Sequence, residues 1–265
     1  MFNLKKVSLV ALILLVVGLV GSLLTFHSVS STQVETEETI KDQFQQIDIS
    51  TDNARVEILP ADSNVATVKF SGNDEDNRKY DFNTNVEGDT LRINVKERGF
   101  RFFSFDFSFS TPSLKVYIPE KMYQTVNVES NNGRITAIGL QSDDISAKTN
   151  NGKIEFNNVV SSAMRAETDN GEIRLENIEG EVSGRTNNGG ISLITDRIDR
   201  PINFETDNGR IAIHTEKEPV NTTLDIKTDN GKVTVFGDSN WDAVAGNGEN
   251  KVKLTTNNGS ITIGN

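Results

Sequence analysis

From Ile47 onward the apolar residues of this chain alternate with polar ones in short runs: Ile47 and Ile49, Val56 and Ile58, Val65, Val68 and Phe70, then Leu91-Ile93-Val95 and Leu114-Val116-Ile118. A period of two puts such residues on one face of a strand, and the runs are separated by Asp, Asn, Gly and Pro, which favour turns. The pattern predicts an all-β domain over residues 46–265, less regular in its N-terminal part. One stretch breaks it. Val7–Phe26 is apolar apart from Ser8, Ser22 and Thr25, and at 1.5 Å per residue it spans roughly 30 Å, the thickness of a bilayer core. Residues 1–26 are therefore expected to form a cytoplasmic start and a transmembrane helix, and residues 27–45, polar and acidic, a spacer.

From Val126 the alternation is punctuated by a recurring phrase: Ser/Thr, Asn/Asp, Asn, Gly, any residue, Ile/Val. It first reads Ser130-Asn131-Asn132-Gly133-Arg134-Ile135, and its glycine recurs at 152, 171, 189, 209, 231 and 259. Repetition at about 20 residues means one small unit stacked on its neighbours. Asn-Gly suits a tight turn because both residues tolerate positive φ. Two folds fit: an antiparallel meander in which each phrase is a hairpin turn, or a parallel β-solenoid of about 20-residue coils in which each phrase is a corner. The residues before the phrases, Glu129, Lys148, Glu167, Arg185, Glu205 and Lys227, alternate in sign until Thr255 ends the series. Stacked in register about 4.8 Å apart, every neighbour among the six is of opposite charge. As hairpins, Arg185 would instead face Ser192 and Glu205 would face Ala212. The parallel solenoid is expected.

Charge and composition narrow the partners. A net charge of −11 repels polyanions, so nucleic acid is not an expected partner. Cysteine is absent, which removes disulfides, thiolate metal sites and a lipidated cysteine anchor. Lys5-Lys6 before the apolar stretch and Glu35, Glu37 and Glu38 after it orient the N-terminus to the cytoplasm and the β domain to the outside.

Leu114-Lys115-Val116-Tyr117-Ile118-Pro119, followed by serial Asn-Gly-x-Ile phrases after a short N-terminal anchor, resembles the putative-adhesin β-strand-repeat family of bacterial cell-envelope proteins, which includes the LiaG-type proteins of Gram-positive bacteria. The resemblance covers residues 45–265. It implies a membrane-tethered, extracytoplasmic binding or scaffolding domain associated with adhesion or envelope stress, with no catalytic residues and no cofactor to carry over.

Candidate chemistry is sparse. Asp207 and Asp229 occupy the same place in consecutive phrases and would be stack neighbours able to hold Ca²⁺; Asp and Asn are also interchangeable turn formers. Phe103, Phe105, Phe107 and Phe109 share one face of a strand, either as core or as an exposed patch for a partner or the bilayer. Trp241 lies in the longest break between phrases and either caps the C-terminal coils or stacks on a sugar. His27 and His214 sit in no recognisable catalytic motif. The enzyme alternative is a glycan-active β-helix using paired surface carboxylates. Envelope proteins, wall polymers and further copies of the chain are the expected partners.

Overall fold

The computed structural model describes residues 33–73, 80–98, 111–240 and 242–264, together with Leu15. The rest of the apolar stretch, the phenylalanine-rich run Phe103–Phe109 and Trp241 lie outside the described residues. Among the described residues no helix is long and apolar enough to cross a membrane.

Twenty strands are described: β1 Gln33–Ile40, β2 Gln46–Thr51, β3 Arg55–Pro60, β4 Ala66–Asn73, β5 Tyr80–Glu87, β6 Thr90–Glu97, β7 Ser113–Ile118, β8 Tyr123–Ser130, β9 Ile135–Ile138, β10 Gln141–Thr149, β11 Ile154–Thr168, β12 Ile173–Asn188, β13 Ile191–Thr195, β14 Ile202–Asn208, β15 Ile211–Thr215, β16 Thr222–Asn230, β17 Val233–Val235, β18 Val244–Ala245, β19 Asn250–Asn258 and β20 Ile261–Gly264. They build a parallel β-solenoid, not a meander. One side stacks β6, β2, β8, β10, the C-terminal half of β11, that of β12, then β14, β19 and β16. The other stacks β7, β3, β9, the N-terminal halves of β11 and β12, then β13, β15, β20 and β17. The long strands β11 and β12 bend between the two sides at Asn158 (φ 53°) and Asn177 (φ 52°).

Chain order is not stack order at either end. The first coil, β2–β3, lies between β6–β7 and β8–β9. The last in sequence, β19–β20, lies between β14–β15 and β16–β17. Outside the parallel stack, β5 pairs antiparallel with β6, and β4 with β7; β1 completes the same edge. These antiparallel strands are the less regular N-terminal part. They also correct the spacer: β1 gains a full set of backbone partners along β4, Ile40 packs on the core and Phe44 is 4% exposed, so the second half of residues 27–45 belongs to the folded unit.

The interior is filled by the alternating positions, with volumes traded between adjacent rungs. Phe156 is next to Ala137, and Phe204 sits beside Gly184, where an added Cβ would come 3.0 Å from the ring. Both phenylalanines are almost fully buried, as close packing requires.

Candidate binding surface

Each residue of the repeated phrase has its own task at the corner between the two sides. The Ser/Thr side chain points inward and binds the coil before it in the stack. Thr149 Oγ1 donates to the Gly133 carbonyl (3.2 Å), Thr168 to Gly152 (3.1 Å), Thr186 to Gly171 (3.1 Å), Thr206 to Gly189 (2.9 Å), Thr256 to Gly209 (3.0 Å) and Thr228 to Gly259 (2.9 Å). Buried hydroxyls are thereby satisfied without water.

The glycine is needed for a different reason from the one expected. None of the seven phrase glycines or their asparagines has positive φ. Instead each glycine stacks on the adjacent coil, six on its glycine and Gly133 on Ala54, and a Cβ would come within 1.8–1.9 Å of a backbone carbonyl oxygen there, as at Gly171 against Gly152. Close approach, not left-handed backbone, selects glycine.

The third position forms one unbroken ladder. Asn132 Nδ2 donates to Asn53 Oδ1 (2.6 Å), Asn151 to Asn132 (2.7 Å), Asn170 to Asn151 (2.9 Å), Asn188 to Asn170 (2.9 Å), Asn208 to Asn188 (3.0 Å), Asn258 to Asn208 (2.9 Å) and Asn230 to Asn258 (3.0 Å). Its first member reveals an eighth copy that a search for Asn-Gly misses: Thr51-Asp52-Asn53-Ala54-Arg55-Val56. Ala54 fits because the β6–β7 coil outside it carries no copy of the phrase, so among the described residues no phrase glycine stacks on its Cβ.

The second position corrects the calcium expectation. In stack order it reads Asp52, Asn131, Asn150, Asp169, Asn187, Asp207, Asn257, Asp229, because β19 is inserted ahead of β16. Asp207 and Asp229 are consecutive in sequence but have Asn257 between them, and Asn257 Nδ2 donates to Asp207 Oδ1 (3.1 Å). Asn187 makes the same bond to Asp169 (3.1 Å), and Asn131 to Asp52 (3.3 Å). An amide thus follows every carboxylate that has an outer neighbour. No group of three or more potential metal ligands occurs among the described residues.

Beside this corner runs the charged column. Glu129, Lys148, Glu167, Arg185 and Glu205 lie one above another as expected, but Thr255 then separates Glu205 from Lys227. Among these stacked pairs only Arg185–Glu205 closes to an ion pair (3.4 Å), both side chains being about half exposed, so the column sets register more than it stabilises. Lys148, Glu167, Arg185, Asp169 and Asn187 border an open groove of about 210 Å³. On the other side Lys153 bridges Glu155 (2.9 Å) and Glu172 (3.0 Å), and its hydrogen bond to Glu155 raises its pKa.

A second groove, about 230 Å³, lies near the N-terminal end between Ile40–Phe44 and Pro119–Lys121. Here Phe44 stacks on Tyr123 with ring centres 5.8 Å apart, and Lys121 lies 4.9 Å from the Tyr123 ring centre while donating to the Phe44 carbonyl. Burial pushes the Tyr123 phenol up, and its hydroxyl donates to the Pro119 carbonyl (2.9 Å). These contacts fix the chain where β1 joins the solenoid. The candidate partner surface, Phe103, Phe105, Phe107, Phe109 and Trp241, lies outside the described residues; Asp207 and Asp229, the candidate calcium ligands, lie on the corner.

The family model described as Toastrack DUF4097 matches residues 44–264. Among solved structures, a putative adhesin from Bacteroides fragilis NCTC 9343 is 10% identical, with 88% of this chain and 97% of that one covered and a TM-score of 0.51. At that identity the likeness shows a shared fold. A putative adhesin from Parabacteroides distasonis ATCC 8503 (9% identical, 88% and 98% covered, TM-score 0.45) and a putative lipid binding protein from the same organism (13%, 88% and 97%, 0.38) are also similar. No curated protein matches the chain.

Proposed function

Because the chain belongs to the Toastrack DUF4097 family, we propose that it is a binding or scaffolding module of a bacterial cell envelope. Residues 7–26 hold it in the membrane with its solenoid outside the cell, where it serves adhesion or an envelope-stress response. The observation that carries this reading is the corner: eight stacked phrases bound by hydroxyl, amide and backbone hydrogen bonds make a rigid edge. Each interior asparagine uses one N–H and accepts one hydrogen bond, leaving an N–H and an oxygen lone pair for an extended partner. The flanking strip of both signs, Lys148, Glu167 and Arg185, suits a polar or zwitterionic polymer such as a wall glycopeptide. Its mixed charge, with carboxylates interleaved by amides, supports binding rather than acid–base chemistry.

The test is co-sedimentation of the full-length protein in detergent with purified cell-wall sacculi, compared with Lys148→Gln and Arg185→Gln combined, which removes the cations without stacking like charges. Wild-type protein should pellet and the variant should not, with unchanged melting. Equal pelleting of both, or of neither, would refute this surface. Deleting residues 1–32 should move the protein from the membrane to the soluble fraction.

A further inference from the structure

The two ends of the solenoid are finished differently. At the N-terminal end the rim strand β6 is covered along its length by β5, and β7 by β4 and then β1. At the C-terminal end β18 pairs only with Thr222 and Thr223, and the Ala243 carbonyl takes the Leu224 N–H (2.7 Å). Beyond that, among the described residues, no strand covers the outer edge of residues 225–230. The serial bonds of the corner also run out here. In the other coils the N–H of the apolar residue after the phrase donates outward, as Ile261 does to the Lys232 carbonyl (2.9 Å), but among the described residues Val233 has no further coil to donate to. Among the same residues Asn230 Oδ1 is the open acceptor of the amide ladder, with no ninth asparagine stacked on it.

Unpaired edges normally carry features that repel another strand. This one carries Asp225, Lys227 and Asp229 on its exposed positions, with Ile226 and Thr228 between them. Opposite charges at a spacing of two are self-complementary in antiparallel pairing. We propose that this rim is an isologous interface at which two copies of the chain pair β16 against β16, end to end. Among the described residues β5 and β1 at the other end also have an unpaired outer edge, but they carry Asp81, Glu87, Glu35 and Glu37 and no lysine or arginine to face Asp225 and Asp229. The β16 rim instead supplies both signs to its own copy, and a rim-to-rim contact is two-fold and closes. With the two-fold axis at Thr228, Lys227 of each copy lies opposite Asp229 of its mate, and the Ala243–Ala245 segment is cleared. Within one chain Lys227 Nζ is 3.5 Å from Asp229 Oδ1, and both side chains are more than half exposed, so they are free to re-pair. This inference is independent of the wall-binding surface, which lies on the flank.

The chain has no cysteine, so a single Thr228→Cys reports on the interface. Across the axis its two copies stand about 5.5 Å apart at Cα, within disulfide range. Mild oxidation of the full-length protein in detergent should give a disulfide dimer with Thr228→Cys and none with Asn83→Cys on the exposed β5 edge. In sedimentation, Lys227→Asp should weaken the dimer at least about tenfold, and Lys227→Asp with Asp229→Lys should restore it. A protein that is monomeric throughout, a dimer insensitive to Lys227→Asp (as one made by the apolar N-terminal stretch would be), or equal crosslinking at residues 83 and 228 would each overturn the proposal.

Discussion

Gly171→Ala isolates the physical reason for the repeated glycine. The added Cβ would sit 1.8 Å from the Gly152 carbonyl oxygen and 2.8 Å from Thr168 Oγ1, roughly 1.5 Å inside ordinary contact with the carbonyl. Both groups are backbone or hydrogen-bonded to it, so no rotamer change relieves the clash. The two coils must part by about a third of their 4.8 Å spacing. Four hydrogen bonds donated by Thr168, Asp169 and Asn170 cross that gap: Thr168 Oγ1 to Gly152 O (3.1 Å), Asn170 Nδ2 to Asn151 Oδ1 (2.9 Å), and the N–H groups of Asp169 (3.2 Å) and Asn170 (2.8 Å) to Asn150 O. At about 1 kcal/mol each their loss costs about 4 kcal/mol, offset by up to about 1 kcal/mol from the stiffer unfolded chain. A net loss of about 3 kcal/mol lowers Tm by about 6–12 °C for a domain of this size. The control is Gly88→Ala, where φ is +64° and nothing lies within 4 Å of the new Cβ, so only left-handed strain of about 1 kcal/mol is expected. Thermal and urea unfolding followed by far-UV circular dichroism measure both. If Gly171→Ala is no worse than Gly88→Ala, stacking contact is not what selects glycine at the corner.

Within the amide ladder, Asn170→Ala removes bonds to Asn151 and from Asn188, whereas Asn53→Ala removes one. Losses of about 1–2 and about 0.5–1 kcal/mol in urea unfolding are expected, and equal losses would contradict a ladder that acts rung by rung. Asp199 is partly buried, which raises its pKa, but the Asn221 N–H (2.7 Å), the Thr222 hydroxyl (2.8 Å) and the Val220 N–H (2.9 Å), with Arg197 nearby, outweigh this and hold the carboxyl below its usual range. A depressed folded pKa stabilises at neutral pH and loses that contribution as pH falls through it. Asp199→Asn should therefore be less stable at pH 7, and its deficit should shrink on acidification; a pH-independent deficit would count against the assignment.

Much of the fold is visible in the alternation of Ile and Val with polar residues, and the sign alternation from Glu129 to Glu205 selects parallel stacking over hairpins. Stack order is not visible, because period and register are local properties whereas the insertion of one coil between two others is decided by which edges remain open. The 28-residue interval between Gly231 and Gly259, against 18–22 elsewhere, is its one trace: the chain needs extra length to pass β16 and re-enter. The eighth phrase was hidden because its glycine is Ala54, and only the coil packed outside it makes alanine permissible. Asp207 and Asp229 looked like neighbours for the same reason that Lys227 looked like the next member of the charge column.

That insertion has a consequence for biosynthesis. Residues 250–264 are made after residues 222–235 yet lie inside them, so a nascent chain halted at residue 240 has a solenoid whose outermost coil has nothing to rest on. The same holds at the start, where β2–β3 waits for strands as distant as β8 and β9 before both its edges are covered. Folding from one end like a zipper is therefore ruled out at both ends. The last segment synthesised works as a wedge: until it slides between its neighbours, β14 and β16 each show an open edge to proteases, so premature termination products should be degraded while completed chains survive.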